Sequence, residues 1–329
     1  MPATLFGEAH RRVMASLLLL LVAGLPANAQ QWPAKTVRIV VPFGTGSTPD
    51  IVARLVAEGL AKKYPASAFL VENKPGASGN IGTDAVAKAA PDGATLGVSI
   101  GGPLAINTLL FSQLPYDPRK DIAPIALLAT QPSVLTVNPE LKVNTVADLV
   151  ALLKKNPGKY NFASIGNGSV SHLAMEAIAL KSGVTMVHLP YPSSPQAITA
   201  VMRNDAQMAC LPAISVTPHA AAGTAKILAV STAKRSPFLP GVPTLKENGI
   251  DIDADAWNGL IAPGGTPKAL IAKINKDVVE IVRQASVREK FAAQLMEVIG
   301  SSPEQFRARI DAEITRWAPV IKAANITIN

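Results

Sequence analysis

The chain has 329 residues, and its 31 Lys and Arg against 23 Asp and Glu give a formal net charge of +8. Only 16% of the residues are charged and 5% are aromatic, and the basic residues are scattered singly, which argues against a nucleic-acid partner. The single cysteine, Cys210, excludes an intrachain disulfide, so stability must come from apolar cores. A chain of this length is long enough for two domains of ordinary size.

The N-terminus has the pattern of an export signal. A basic segment at residues 10–12 precedes an apolar stretch over residues 13–22, and small residues follow up to Ala29. We predict cleavage after Ala29, which leaves residues 30–329 as a periplasmic protein. The apolar stretch is short for a membrane span and no cysteine stands at the cleavage point, so we expect no membrane anchor.

The mature chain begins with a buried strand, a glycine loop and a helix in direct succession. The apolar run over residues 37–41 suits a strand that is covered on both faces. Thr48 is the predicted N-cap, with Pro49 and Asp50 as the first two helical residues. Free backbone N–H groups and the positive helix end would favour an anion there, although many such turns only start a helix. Because the charge of Asp50 would repel an anion, we assign Asp50 to anchoring the helix.

Strand-like and helix-like segments alternate through most of the chain. Further strand patterns each lead through Gly, Ser, Asn or Pro into a helix pattern; they lie at residues 68–73, 94–100, 160–165 and 186–191. This rhythm predicts an α/β protein with right-handed crossovers and mostly parallel sheets. Ligands of such sheets bind beyond the carboxyl ends of the strands, where these loops gather.

Two extended, proline-marked segments predict crossings between two lobes. They span residues 125–139 and 226–243, and the chain between them has its own alternation of strands and helices. We predict that lobe 1 consists of residues 30–129 and 234–329, and that lobe 2 consists of residues 130–233. A cleft between two lobes joined by two strands can close on a ligand.

The C-terminal part of the chain is predicted to return to lobe 1 as helices. Ser302 and Gln305 have the spacing of a capping box at the start of the last helix. Its apolar stripe, which we expect to pack in a core, consists of Phe306, Ile310, Ile314, Trp317 and Ile321.

Seven stretches of the mature chain match one known family in the same order. They are RIVVPFGTGSTPDIVARLVA, VENKPGASGNIGTDAVAKAAPDGATL, AINTLLFSQLPYDPRKDIAPIALL, NPGKYNFASIGNGSVSHLAMEAI, MVHLPY, AKRSPFLPGVPTLKENG and GLIAPGGTPKALIAKIN. The chain resembles the Bug-type (Bordetella uptake gene) solute receptors, the binding components of tripartite tricarboxylate transporters. The resemblance implies a two-lobed flytrap fold of the periplasmic-binding class, with a mostly parallel sheet flanked by helices in each lobe. It also implies capture of a small organic carboxylate, without enzymatic activity or a cofactor.

The resemblance also implies a set of ligand-binding residues. In such receptors, backbone amides near the first strand–helix loop hold a ligand carboxylate, which here points to Phe43, Gly46, Ser47 and Thr48. The facing lobe would contribute Ser164, Gly166, Gly168, Ser169 and His172, with Tyr191 near the mouth of the pocket.

Two departures from the family pattern bear on this site. The first loop is less rich in glycine than in many relatives, so the hydroxyls of Ser47 and Thr48 are expected to join the backbone amides. Leu211 stands where many relatives have Asp, and an apolar residue there would favour a ligand without an amino group. A dicarboxylate, an aromatic carboxylate and a tricarboxylate all stay open as ligands.

The same residues can also have structural roles that need no ligand. Ser169 would cap its helix with or without a ligand, His172 could be a satisfied structural histidine, and His188 is expected to be a packing residue within a strand. The spacing around Ser169 differs from a nucleophile elbow, and no histidine or cysteine pair has metal-ligand spacing, so we expect neither catalysis nor a metal site.

The expected partners are the two integral membrane subunits of the transporter, with the receptor itself a monomer. A ligand-presenting sensory receptor that docks on a membrane histidine kinase is the alternative, because both roles would use the surface of the closed form.

Overall fold

The computed structural model describes residues 32–328, so the predicted export signal and its cleavage site lie outside the described residues. Within residues 32–328, no helix is both long and apolar enough to cross a membrane. Two β-sheets, each covered by helices, form the framework of the described chain.

The first sheet has six strands and carries the first strand–loop–helix unit. Its strands are β1 (Thr36–Val41), β2 (Ala68–Asn73), β3 (Thr95–Ile100), β4 (Ile122–Gln131), β10 (Ala256–Pro263) and β11 (Glu297–Val298). They lie in the order β11-β4-β10-β3-β1-β2. Strand β1 is parallel to β2 and β3, whereas β10 is antiparallel to β3 and β4. The carboxyl ends of β1, β2 and β3 therefore meet at one edge.

The second sheet has five strands from the middle of the chain. They are β5 (Ser133–Val137), β6 (Asn161–Ser164), β7 (Val187–Pro190), β8 (Met208–Pro212) and β9 (Lys226–Val230), in the order β7-β6-β8-β5-β9. Strand β6 is parallel to β7 and β8, but β5 is antiparallel to β8 and β9. Four of the six strands in the first sheet and four of the five in the second thus run in one direction, as predicted, and the exceptions are β10, β11 and β5.

Helices cover both sheets. They are α1 (Thr48–Lys63), α2 (Asn80–Ala87), α3 (Asn107–Leu110), α4 (Val146–Lys155), α5 (Val170–Ser182), α6 (Ser194–Met202), α7 (Ala213–Ala221), α8 (Lys268–Val282), α9 (Ala285–Ala292) and α10 (Pro303–Ala323). On one face of the first sheet, Val52 of α1 and Val278 of α8 pack with Ile39. On the other face, Val86 of α2 and Phe306 of α10 pack with Val40. The first sheet is therefore buried on both sides, as its apolar runs indicate.

The chain crosses between the two sheets at two places. Only Pro132 separates β4 from β5. The second crossing lies further along the chain than the predicted segment, residues 226–243. Leu245 N–H still donates to Val230 O at 2.9 Å, and Ile252 still packs in a core of the second sheet. The chain leaves the second sheet just before β10, because residues 244–254 add their apolar side chains to that core.

The last helix, α10, spans both cores. Its capping box is confirmed: Ser302 Oγ accepts from Gln305 N–H at 3.2 Å, and Gln305 Oε1 accepts from Ser302 N–H at 2.9 Å. Phe306 packs with Trp257 of the first sheet, whereas Trp317 packs with the core of the second sheet. The helix therefore does not belong wholly to the first lobe, although its apolar stripe is continuous.

Candidate functional site

The first loop, residues 42–47, joins β1 to α1 at the edge where the parallel strands end. Ser47 is the N-cap with φ −69° and ψ 158°, and Thr48 is the first helical residue. The prediction that Thr48 is the N-cap was wrong by one residue. Proline is tolerated throughout the first helical turn, so the position of Pro49 could not fix the boundary more closely.

A buried carboxylate holds the first loop in shape. Asp50 is 1% exposed and accepts hydrogen bonds from Gly46 N–H at 2.9 Å, from Asn73 Nδ2 at 3.0 Å and from two nitrogens of Arg54 at 2.9 and 3.0 Å. Burial by itself would raise the pKa of Asp50, but these hydrogen bonds outweigh burial and hold it below its usual range. The predicted anchoring role of Asp50 is confirmed.

Asn73, at the end of β2, fastens the start of the same loop. Its Nδ2 donates to Phe43 O at 2.9 Å, and its Oδ1 accepts from Thr45 Oγ1 at 3.3 Å. The parallel register places Asn73 beside Val41, the last residue of β1. Neither Asn73 nor Arg54 was among the predicted residues of this site. The signal for Asn73, a polar residue that ends a neighbouring strand, becomes informative only when the pairing of β1 with β2 is known.

The first loop has a buried hydroxyl without a hydrogen-bond partner beside the helix N-terminus. Ser47 Oγ is buried and has no hydrogen-bond partner within residues 32–328, and it makes no cap bond to α1. Residues 44–46 are exposed, whereas Phe43 and Thr48 are partly buried. An unpartnered hydroxyl next to the positive end of a helix can donate to an anion.

The second loop, residues 165–169, joins β6 to α5 and is closed by internal hydrogen bonds. Ser169 is the N-cap: its Oγ accepts from His172 N–H at 3.3 Å and donates to Gly166 O at 2.6 Å. Ser164 Oγ accepts from Gly166 N–H at 3.1 Å and lies 2.6 Å from His188 Nε2. Most polar atoms of this loop are therefore used within the loop itself.

Ser164 and His172 lie beneath the second loop rather than on its surface. Ser164 is fully buried and His172 is 5% exposed, and His172 Nδ1 accepts from Gly168 N–H at 3.0 Å. The structure thus places both side chains as supports of the loop and not as open contact groups. Tyr191 is partly buried, and its N–H donates to Ser164 O at 2.9 Å.

Leu211 does not face a cleft. It is fully buried and packs with Val134, Ala163 and Val216 under α6 and α7. In β8, Met208 and Cys210 point into the other core of the second sheet, so the alternation of the strand directs Leu211 towards the helices. The inference about the ligand that was drawn from Leu211 is therefore not supported.

One helical segment, residues 102–110, connects the surroundings of the two loops. A Cβ added to Gly79 would lie 2.6 Å from Pro103 Cγ and 2.8 Å from Phe43 Cζ, so Pro103 lies close to the first loop. At the other end, a Cβ added to Gly168 would overlap Leu110 Cδ1. One helical segment therefore packs near the first loop at Pro103 and against the second loop at Leu110.

Other features of the described chain lie away from the two loops. Three cavities, of about 340, 570 and 380 Å³, are lined by other residues. The first is lined by residues from both places where the chain crosses between the sheets, and by Arg309. Residues 32–328 contain no group of three or more His, Cys, Asp or Glu side chains that could hold a metal ion.

Comparison with known proteins identifies the family of this chain. The family described as "Tripartite tricarboxylate transporter family receptor" matches residues 52–326. Protein BugT of Bordetella pertussis is 35% identical over 301 residues, which cover 90% of this chain and 91% of BugT.

Two solved structures have the same fold over nearly the whole described chain. Rpa4515 of R. palustris, solved with adipate, has a TM-score of 0.81 and 33% identity, with 90% of this chain and 99% of that chain covered. MatC from Rhodopseudomonas palustris, solved with bound malate, has a TM-score of 0.76 and 31% identity, with coverages of 88% and 100%.

Proposed function

Since the chain belongs to the receptor family of the tripartite tricarboxylate transporters, we propose that it binds a small dicarboxylate between two lobes and delivers it to the membrane subunits of such a transporter. Receptors of this family are periplasmic binding proteins. The dicarboxylate class is supported by the ligands named for two relatives, adipate and malate.

The observation that carries the proposal is the unpartnered hydroxyl of Ser47 at the N-terminus of α1. A buried hydroxyl without a hydrogen bond costs free energy, and a ligand carboxylate at this helix end would supply the missing acceptor. The positive end of the helix dipole adds to the attraction. Asp50 does not oppose this binding strongly, because Arg54 neutralises its charge on the other side.

The contacts that we propose differ between the two loops. Phe43, Gly46, Ser47 and Thr48 would hold one ligand carboxylate on the first lobe. From the second lobe, the loop residues Gly166, Gly168 and Ser169 would form the facing wall, with Tyr191 at its side. Ser164 and His172 would support that wall, and Leu211 is left out.

Closure of the two lobes would complete the site. The second lobe would extend from β5 to about residue 254, because residues 244–254 pack with the second sheet. A ligand drives closure only if it makes better contacts in the closed form than in the open form. We further propose a monomer, exported with cleavage after Ala29, that docks on two integral membrane subunits and catalyses no reaction.

Calorimetric titration of the mature protein with adipate and malate tests the proposal. Ser47→Ala should weaken binding about tenfold, the equivalent of one hydrogen bond, with the thermal stability nearly unchanged because no cap bond is lost. Ser182 is a matched control: its Oγ is also buried without a partner but lies at the end of α5, so Ser182→Ala should bind like the wild type.

Equal affinities of the Ser47→Ala and Ser182→Ala variants would refute the site assignment. If no organic carboxylate raises the melting temperature of the wild type, the carboxylate class itself is wrong. Sustained conversion of a bound ligand, followed by NMR, would contradict the receptor role. Deletion of the gene should abolish uptake of the ligand; loss of ligand-dependent induction alone would instead indicate a sensory receptor.

A further inference from the structure

We infer that His172 and His188 act together as positioning residues that hold the second loop in its ligand-ready shape. This inference rests on the proposed function, since it concerns the same site. It assigns His188, which the sequence analysis regards as a packing residue, a role in the site, and it changes the role of His172 from contact to support.

The two imidazoles fasten opposite ends of the second loop. His188 lies on β7, and its Nε2 is 2.6 Å from the Oγ of Ser164, the last residue before the loop. His172 lies on α5, and its Nδ1 accepts from Gly168 N–H near the end of the loop at 3.0 Å. A strand and a helix that are separate in sequence thus each supply one anchor.

The anchors are joined by direct stacking of the two rings. The ring centroids of His172 and His188 are 3.7 Å apart with an angle of 9° between the planes, and Phe162 stacks on His188 at 4.8 Å and 18°. Neither imidazole can rotate without displacing the other. The pair therefore behaves as one support that reaches both ends of the loop.

The loop needs such a support because of its own backbone. Gly166 and Gly168 have φ values of 115° and 71°, a region that glycine adopts readily. Because glycine has no side chain, no packing of its own fixes the backbone at these two positions. Gly168 also lies against Leu110 and Ile328 with no room for a Cβ. A shift of Gly168 would therefore press on the segment at residues 102–110, which borders the first loop.

The geometry also fixes the protonation of His172. An imidazole nitrogen can accept from a backbone N–H only when it carries no proton, so the neutral ring must hold its proton on Nε2. Glu176 Oε1 lies 3.6 Å from this Nε2, on the side away from the loop. The positioning role thus requires the neutral Nε2–H tautomer of His172.

Four variants separate the anchoring atoms from ring packing. His172→Phe and His188→Phe keep a stacked ring but remove the nitrogen, and each should weaken binding of the dicarboxylate that the wild type binds by about tenfold. His172→Asn places a polar atom near the former position of Nδ1, and His188→Gln places one near the former position of Nε2. Each of these two variants should recover most of the lost affinity. His219→Phe on α7 is the control and should bind like the wild type.

NMR of protein with ¹⁵N-labelled histidine provides a measurement that does not depend on the ligand. We expect His172 Nδ1 to have the shift of an unprotonated acceptor, and we expect the Gly168 amide proton to move upfield in His172→Phe and to return in His172→Asn. A protonated Nδ1, or Phe variants that bind as tightly as the wild type, would overturn the inference. Failure of the wild type to bind any dicarboxylate would refute the proposed function instead, while the NMR shifts still test the anchors.

Discussion

The first and second loops have the same local plan, in which a strand enters a helix through glycine and serine, but they are held by different chemistry. In the first loop, a buried carboxylate, Asp50, collects hydrogen bonds from Gly46, Arg54 and Asn73. In the second loop, neutral groups do the same work, with Ser164 and Gly168 fastened by two imidazoles.

This difference decides what each loop can offer a ligand. The first loop is anchored by Asp50, and the hydroxyl of Ser47 has no partner within the described chain, next to the helix end. The second loop uses its hydroxyls on itself, as when Ser169 Oγ caps α5. This difference fits the proposal that the first loop holds the anion and the second loop forms the facing wall.

The largest contrast is expected when glycine is replaced in each loop. Gly168 and Gly46 both have positive φ, 71° and 80°, so alanine is strained at both. A Cβ at residue 168 would also overlap Leu110, whereas nothing lies within 4 Å of one at residue 46. Gly168→Ala should lower the free energy of unfolding by about 3 kcal/mol and Gly46→Ala by about 1 kcal/mol, measured by urea denaturation. Equal losses would show that the second loop is not packed as tightly as described.

The charged anchor of the first loop should have an intermediate effect. Asp50→Asn keeps the shape but removes the charge that Arg54 pairs with, so we expect a loss of about 2 kcal/mol in the free energy of unfolding and weaker ligand binding. Glu58→Gln on the same helix removes a carboxylate from exposed ion pairs with Lys62 and Lys290, and should cost less than about 1 kcal/mol. If both variants lose the same stability, burial does not strengthen the Asp50 anchor.

A pH-dependent effect should act through the second loop. Burial, and secondarily the neighbouring His172, lowers the pKa of His188 to about 4 from its ordinary value of 6.5. Between these two values the unfolded chain binds the proton and the folded chain does not, so the contribution of His188 to stability should fall as the pH decreases from 6.5 towards 4. The carboxyl of Asp255, whose pKa burial raises to about 6, acts in the opposite direction in this range, so the prediction concerns the difference in stability between the wild type and a variant without His188.

Melting temperatures recorded across this pH range test the prediction. Relative to the wild type, His188→Phe should gain melting temperature as the pH decreases, because it lacks the titrating group, whereas the difference between His219→Phe and the wild type should stay constant. A difference between His188→Phe and the wild type that does not change with pH would contradict the prediction.

Local patterns in the sequence predicted the features that depend on neighbours in the chain. The α/β class follows from alternating strand and helix periods, the capping box at Ser302 from a spacing of three residues, and the anchoring role of Asp50 from its place in the first helical turn. The family resemblance, carried by motifs along the mature chain, is confirmed by the match over residues 52–326.

Features that depend on distant residues were missed or misplaced. The role of Asn73 needs the pairing of β1 with β2, and the burial of Leu211 needs the face that β8 turns to α6 and α7. The stripe of α10 is regular from end to end, yet Phe306 packs in one core and Trp317 in the other. A periodic stripe shows that a helix face is buried but not which core receives it.

The fold class, the strand–loop–helix units and the position of the first helix start could be predicted from the sequence, because each depends on contacts within a few residues. Long-range packing sets which hydroxyls have partners within the described chain, and it stacks His188 of β7 on His172 of α5. Sheet register and ring stacking join residues that are far apart in the chain, so no local pattern specifies them.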